Sequence, residues 1–191
     1  MKHKQRLKKT HEVFTPPAVV KKLIENAGPN AIDVNKTALD PCCGNGQILI
    51  TLAKIRNSVE NLYGVDIMVD NVCDTICRLH LFSINKLDPD PFNELGTTIE
   101  IVEPGFDRTK IDPTVDWIKT QNEFTRIYKH NGETVTVKFE GFDKSTPTAF
   151  FSCNGELVRN IVCADFLDFD SNVFDKDNIE FRNHVGCDLF D

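Results

Sequence analysis

The most restrictive feature of the sequence is a glycine-containing turn between a short apolar segment and a helix-like one. Residues 39–46 read LDPCCGNG. The helical spacing that follows is carried by five apolar residues, Ile48, Leu49, Leu52, Ala53 and Ile55. Such a turn lets a ligand approach the backbone closely, and the first amides of the helix favour an anionic group such as a carboxylate. The acid before the turn, Asp40, can hold an ammonium group. On its own, the turn is equally well explained as ordinary strand-to-helix geometry.

Helix and strand patterns alternate around this turn. The first predicted helix has Thr15 as its N-cap and Pro16 in its first turn, and it stops at Gly28. After the glycine turn and its helix, a buried strand is predicted over residues 62–67 and a third helix over residues 69–84. Alternation of this kind favours a parallel sheet with right-handed crossovers, which places the chain in the α/β class.

The pattern further along the chain is antiparallel. A β-hairpin is predicted over residues 123–140, because alternating apolar residues flank Asn-Gly at 131–132, the strongest local hairpin signal. Strands are also predicted at 98–102 and 148–152. The α/β pattern then resumes with a strand at 158–163.

These patterns divide the chain into three parts. We expect a basic flexible arm over residues 1–10 and an α/β domain built from residues 11–86 and 158–191. Residues 87–157 are expected to form a β-rich insertion of antiparallel character. A further short strand is predicted at 179–181.

Acids also end the two later strands of the α/β pattern. Asp66 follows Gly44 by 22 residues, where an acid can accept hydrogen bonds from ribose hydroxyls. Asp165 can accept a hydrogen bond from an adenine amino group, with Phe166 against the ring. A solvated acid at a strand end is the alternative for each, and more so for Asp165, where an acidic stretch begins.

Four segments together resemble the N6-adenine DNA methyltransferases in which an entry motif precedes the glycine motif. They read HEVFTPP at 11–17, DPCCGNG at 40–46, GVDI at 64–67 and VCADF at 162–166. The resemblance covers roughly residues 11–84 and 158–170 in the order of the family. It implies a partial Rossmann-like (class I methyltransferase) three-layer sandwich and the cofactor S-adenosylmethionine (SAM).

The resemblance also implies roles for individual residues. The entry residues Phe14, Thr15 and Pro16 would close over the cofactor. The methionine part would be surrounded by Asp40, Pro41, Cys43, Gly44 and Gly46. The ribose would be held by Asp66 beside Ile67, and the adenine by Asp165 and Phe166.

The sequence departs from the family at its catalytic motif, Asn/Asp-Pro-Pro-Tyr/Phe, which would act on a flipped base. Residues 15–18 read TPPA and lack the aromatic ring, and residues 88–92 read DPDPF, where an acid interrupts the prolines. The sequence ends about where the fourth strand should begin. We therefore predict no catalytic residue in the chain, and a homodimer or a partner chain that supplies the missing half of a sheet with open edges.

Charge and composition indicate which classes of partner the protein can have. Net charge is −7, although residues 1–10 carry five basic side chains and no acid. That arm is the only feature that favours DNA, and a solubilising terminus explains it equally well. The seven cysteines include no Cys-x-x-Cys pair and the histidines are scattered, so no metal site is predicted. The absence of a long apolar run or a signal peptide favours a cytoplasmic protein with no membrane contact.

Three functions stay open on the sequence alone. The first is a SAM-binding, adenine-specific DNA methyltransferase-like protein that is catalytically incomplete by itself, in a phage or bacterial restriction-modification setting. The second is an active small DNA methyltransferase with an atypical acceptor site. The third is an acidic anti-restriction or interaction protein that occupies a DNA-modifying enzyme, to which the acidic stretch 165–191 points.

Overall fold

A seven-stranded mixed sheet, in the order β1-β2-β7-β6-β5-β4-β3, runs through the described part of the chain. The computed structural model describes residues 15–85, 97–100, 125–130, 132–143 and 148–174. The strands are β1 (Ala38–Asp40), β2 (Leu62–Asp66), β3 (Thr97–Glu100), β4 (Thr125–His130), β5 (Glu133–Asp143), β6 (Thr148–Cys153) and β7 (Glu156–Cys163). The helices are α1 (Pro17–Ala27), α2 (Gln47–Arg56) and α3 (Val69–Asn85). Within these ranges, no helix is both long and apolar enough to cross a membrane.

The first half of the sheet is parallel, as the alternating pattern predicts. β1 pairs with β2 and β2 with β7, and Asp66 stands opposite Cys163 in the register. Helix α2 connects β1 to β2, and α3 follows β2 and packs on β2 and β7. The α/β class is therefore confirmed. Because parallel strands end at the same edge, the residues after β1, β2 and β7 lie side by side.

The second half of the sheet is antiparallel. The predicted hairpin is confirmed, with Tyr128 of β4 opposite Val135 of β5. Strands β3 to β6 pair in sequence, and β6 joins β7 in antiparallel fashion. The segment predicted to be an insertion therefore contributes strands that extend the same sheet. Its boundaries stay a prediction.

The core occupies both faces of the sheet. On the first face, α2 and α3 contact each other and bury Leu49, Ile50, Ile76 and Leu79. On the second face, a smaller cluster joins residues of β2, β6 and β7 to Val173 and its neighbours in the segment after β7. Among the described residues, no α-helix contributes to this second cluster, so the third, helical layer stays a prediction.

Two local predictions are wrong. Helix α1 begins at Pro17, and Pro16, not Thr15, occupies the N-cap with no side-chain cap bond. The residue before a proline avoids the helical region, which keeps Pro16 extended, while Pro17 suits the first helical position. Strand β2 ends at Asp66, and Ile67 lies outside it and is 39% exposed, because the chain turns at once into α3. The predicted strand at 179–181 lies outside the described residues.

A buried ion pair joins the antiparallel half to α3. Arg126 of β4 donates to the Asp74 carboxylate at 2.9 Å and to the Asp70 carbonyl at 2.9 Å. The Tyr128 hydroxyl donates to the same Asp74 oxygen at 2.7 Å. Burial raises the pKa of Tyr128 well above its ordinary value, so this hydroxyl stays protonated. Hydrogen bonds of this kind offset part of the cost of burying the two charges.

We expect Arg126→Ala to lower the free energy of unfolding by about 3–5 kcal/mol, because it leaves the Asp74 carboxylate buried without its counter-charge. Tyr128→Phe removes one hydrogen bond and should cost about 1 kcal/mol. Urea unfolding measures both, with Lys138→Ala on the exposed side of β5 as the control. A loss for Arg126→Ala no larger than that of Lys138→Ala would contradict the role assigned to this pair.

Candidate functional site

Three carboxylates meet at the edge where β1, β2 and β7 end. Asp40 and Asp66 are the last residues of their strands and are each 8% exposed. Asp165 follows β7 by two residues and is half-buried. The three carboxylates all lie near the thiol of Cys42. Burial raises the pKa of this thiol, and the charges of Asp66, Asp40 and Asp165 raise it further. The structure therefore brings together the three acids that the sequence places at strand ends.

Asp66 has a structural task that sequence reasoning missed. Its Oδ2 accepts the Gly44 amide at 2.8 Å, which ties the glycine turn to the end of β2. Its Oδ1 accepts the Met68 amide at 2.8 Å and the Asn71 side-chain amide at 3.1 Å, which orders the start of α3. The second of these contacts follows a familiar pattern, in which an Asp accepts from the backbone two residues on. That local pattern is a signal the sequence did contain.

Helix α3 holds the other side of the glycine turn. The Thr75 hydroxyl donates to the Gly44 carbonyl at 3.0 Å, and the Arg78 guanidinium donates to the Asn45 carbonyl at 2.8 Å. Arg78 is 1% exposed and also reaches the Gln47 side chain. Sequence reasoning missed both residues. The apolar spacing of α3 gives no signal for them, since Arg78 falls outside the face that it predicts to be buried.

Gly46 meets two constraints that only glycine satisfies. Its φ is +78°, in the left-handed region, and a Cβ on it would lie 2.9 Å from two side-chain atoms of Thr75. Since Thr75 holds the Gly44 carbonyl, it has little freedom to move. The glycine therefore lets α3 approach the turn closely.

Electrostatics at Asp40 favour a cation. Burial raises the pKa of its carboxyl, and the charge of Asp66 raises it further, while a hydrogen bond from the Cys42 amide acts in the opposite direction. A positive group placed beside Asp40 would relieve both the burial and the repulsion. The site is therefore suited to an ammonium or another cationic centre.

A small open cleft lies over the glycine turn. It is lined by Thr15, Asp40, Cys42, Cys43, Gly44, Asn45, Gln47 and Ile48. Four residues of the sequence-predicted set thus share the cleft, and Cys42, Asn45, Gln47 and Ile48 are additions. The lining begins at the residue before α1 and ends in the first turn of α2, whose amides favour a carboxylate.

The remaining predicted residues lie outside the cleft lining, and their cofactor roles stay predictions. Pro16, Pro41, Gly46, Asp66, Ile67, Asp165 and Phe166 belong to this group, and Phe14 lies outside the described residues. Asp165 accepts the Leu167 amide at 3.0 Å, so its carboxylate shapes the following turn. Phe166 is 40% exposed and stacks on Phe169 with ring centroids 6.1 Å apart.

Comparison with known proteins gives one match. A family model described as N-6 DNA methylase matches residues 2–151, which is most of the chain. No curated protein and no solved structure matches it. The family agrees with the resemblance carried by the glycine turn and its neighbouring motifs.

We expect Asp40→Asn to stabilise the ligand-free protein at neutral pH. The native pKa of Asp40 lies above the unfolded value, so the native state binds the proton more tightly, and stability falls as pH rises through the interval between them. The neutral side-chain amide of asparagine avoids the cost of a buried charge, and its oxygen can still accept the hydrogen bond from the Cys42 amide. Thermal unfolding from pH 3 to pH 8 should show an advantage of a few degrees at pH 7 that disappears below the ordinary Asp pKa. A variant less stable than the parent at pH 7 would contradict the electrostatic account.

Proposed function

We propose that this chain, which belongs to the N-6 DNA methylase family, binds SAM at the carboxyl edge of β1, β2 and β7. The observation that carries the proposal is the pairing of a carboxylate edge with a helix start across one glycine turn. Asp40 contributes a carboxylate to the lining of the cleft, and Gln47 and Ile48 at the start of α2 line it as well. SAM carries an ammonium and a carboxylate on the same carbon at its methionine end, and a cationic sulfonium further along.

The residues of the chain fit the parts of SAM in order along the sheet edge. The ammonium faces Asp40, and the carboxylate faces the first amides of α2. Asp66 stands one strand further on, where a carboxylate accepts ribose hydroxyls. Asp165 and Phe166 follow β7, the next strand in the sheet, and would hold the adenine through its amino group and its ring. When bound, SAM supplies an activated methyl group; the side chains named here bind and orient it.

The acceptor half of a methyltransferase site is a separate question. The sequence contains no Asn/Asp-Pro-Pro-Tyr/Phe tetrapeptide, so these 191 residues alone do not provide the side chains that receive the target amine in this family. Within the described residues, β1 pairs with β2 alone. We therefore propose that a partner chain with a different sequence pairs at the edge of β1 and brings the acceptor residues to the cleft. Adenine in DNA is the substrate that the family indicates.

We expect SAM and its demethylated product, S-adenosylhomocysteine, each to raise the melting temperature. Ligand at about 100 times its Kd adds about 2.7 kcal/mol, which corresponds to a shift of several degrees for a domain of this size. Thermal unfolding with and without each compound measures it. If neither compound produced a shift at millimolar concentration, the cofactor assignment would fall. The leading hypothesis would then be an acidic interaction protein.

A pair of carboxylate variants serves as the control for this measurement. Asp66→Ala should abolish the ligand-induced shift, and it should also lower the melting temperature of the free protein, because the carboxylate holds the Gly44 and Met68 amides. Asp168→Ala removes an exposed carboxylate nearby and should leave both the shift and the stability unchanged. Retention of the full shift by Asp66→Ala would rule out the proposed ribose contact.

We expect the 191-residue chain alone to transfer no methyl group to adenine in DNA, since it lacks the family's acceptor motif. Incubation with radiolabelled SAM and duplex DNA measures transfer, with an intact N6-adenine methyltransferase as the positive control. Methylation by the purified chain, at a rate proportional to its concentration, would overturn the incompleteness and favour an atypical acceptor site.

A further inference from the structure

A histidine on α3 contacts the turn between β6 and β7. The turn consists of Asn154 and Gly155, whose φ angles of +51° and +91° are typical of a tight two-residue hairpin. The side-chain Nδ2 of Asn154 lies 3.2 Å from Nε2 of His80, in the carboxyl-terminal part of the helix. Asn154 is exposed and His80 is half-buried, so the contact lies within reach of solvent protons.

The direction of the Asn154 side chain is fixed by the strand beside it. Its Oδ1 accepts the Thr136 backbone N–H at 2.8 Å, and its own backbone N–H donates to the Thr136 carbonyl at 2.8 Å. A backbone N–H can only donate, so the side-chain oxygen must face Thr136 and the NH2 group must face His80. Because an amide NH2 is a donor alone, Nε2 of His80 accepts, and the proton of the neutral ring is on Nδ1.

Protonation of His80 is incompatible with this contact. A charged imidazole carries a proton on both ring nitrogens, so its Nε2–H would face the NH2 group of Asn154, donor against donor. The other nitrogen, Nδ1, is buried and has no hydrogen-bond partner among the described residues, so it provides no compensating contact. The charged ring must therefore leave Asn154 before its Nε2 proton can find an acceptor.

The groups around the ring decide which form the native protein holds. Burial lowers the pKa of His80, whereas the charges of Glu156 on β7 and Glu133 on β5 act in the opposite direction. Two thiols lie close by in sequence, Cys77 one turn earlier on α3 and Cys153 at the end of β6; burial raises the pKa of each, so both stay neutral. His80 is therefore neutral at pH 7, and a protonated ring that leaves the turn finds negative charge nearby.

We propose that His80 is a pH-dependent switch between α3 and the β6–β7 turn: the neutral ring binds Asn154 and holds the turn against the helix, and the protonated ring releases it. The switch goes beyond the proposed function, because it requires neither the cleft nor a ligand. It acts on the helix that also holds the glycine turn, through Arg78 two residues earlier. Mild acid therefore frees one end of the helix on which the geometry of that turn depends.

The sign of the pH dependence follows from the lowered pKa of His80. The native state binds the proton less tightly than the unfolded state does, because burial and the Asn154 NH2 group oppose protonation. The stability that the contact provides is therefore complete above the ordinary His pKa. It is lost as pH falls from that value to the native pKa.

Two substitutions change the chemistry of the contact and keep its size. His80→Gln places an amide oxygen, which accepts at every pH, where Nε2 accepts from Asn154. Asn154→Asp replaces the NH2 donor by a carboxylate oxygen, which favours the protonated ring, while its other oxygen still accepts the Thr136 N–H. Aspartate also tolerates the positive φ of this position. Asn172→Asp, at an exposed asparagine after β7, is the control for the added charge.

We expect the melting temperature of the ligand-free parent to fall between pH 7.5 and pH 5 by about 2–4 °C more than that of His80→Gln, the size of one hydrogen bond in a domain of this length. Asn154→Asp should gain stability relative to the parent over the same interval, and Asn172→Asp should follow the parent. In NMR titrations, the His80 ring should take up its proton at a lower pH in the parent than in Asn154→Asp.

Either of two results would overturn the proposal. The first is a parent whose melting temperature changes with pH in parallel with that of His80→Gln. The second is a His80 ring that titrates at the same pH in the parent and in Asn154→Asp, which would make the contact a structural one without a switch. The NMR comparison decides the question even if His80→Gln does not fold. Because all measurements use the ligand-free chain, their outcome is independent of SAM binding.

Discussion

The hydrogen bond from the Gly44 amide to the Asp66 carboxylate sets the geometry of the sheet edge on which the site is built. It ties the turn after β1 to the end of β2, and the other oxygen of the same carboxylate orders the first turn of α3. Helix α3 then returns to the turn through Thr75 and Arg78. Strand end, turn and helix therefore fix one another before any ligand arrives, and a ligand that enters pays little to order them.

This arrangement has an electrostatic cost that the fold carries without a ligand. Burial raises the pKa of the Asp40 carboxyl, and the nearby charge of Asp66 raises it further. The neighbouring thiol of Cys43 is buried, and burial raises its pKa well above the ordinary value, so it stays neutral. Its Sγ donates to the Gly44 carbonyl at 3.9 Å. Burial of the Asp40 charge lowers the stability of the ligand-free protein. Functional sites commonly carry a cost in stability of this kind.

Much of the fold was predictable from the sequence because its signals are local. The spacing of Leu49 and Leu52 marks α2, and the Asn-Gly pair marks the hairpin of β4 and β5. The turn and its acids were also predictable as residues, since strand ends in a parallel sheet share one edge. The contacts of Thr75 and Arg78 with the turn were not, because they join positions more than thirty residues apart and leave no periodic trace.

The order of the strands in the sheet could not be predicted from local sequence patterns either. The alternation of Arg126 and Tyr128 predicts a strand, but nothing in it says that the strand belongs to the same sheet as β1. In the structure, both side chains donate hydrogen bonds to Asp74 on α3, which holds β4 against the helix that packs on β2 and β7. The hairpin prediction comes from alternation around the Asn-Gly pair, which gives no partner for the polar groups of Arg126 and Tyr128.

The same contacts connect the antiparallel half of the sheet to the glycine turn and its cleft. Arg126 bonds both to Asp74 and to the carbonyl of Asp70 in the first turn of α3. The next residue after Asp70 is Asn71, which donates to Asp66. The helix that β4 holds in place is thus the helix that shapes the turn over which the cleft lies. A displacement of α3 by β4 would move the Asp66 carboxylate and the glycine turn together, because both are bonded to that one helix.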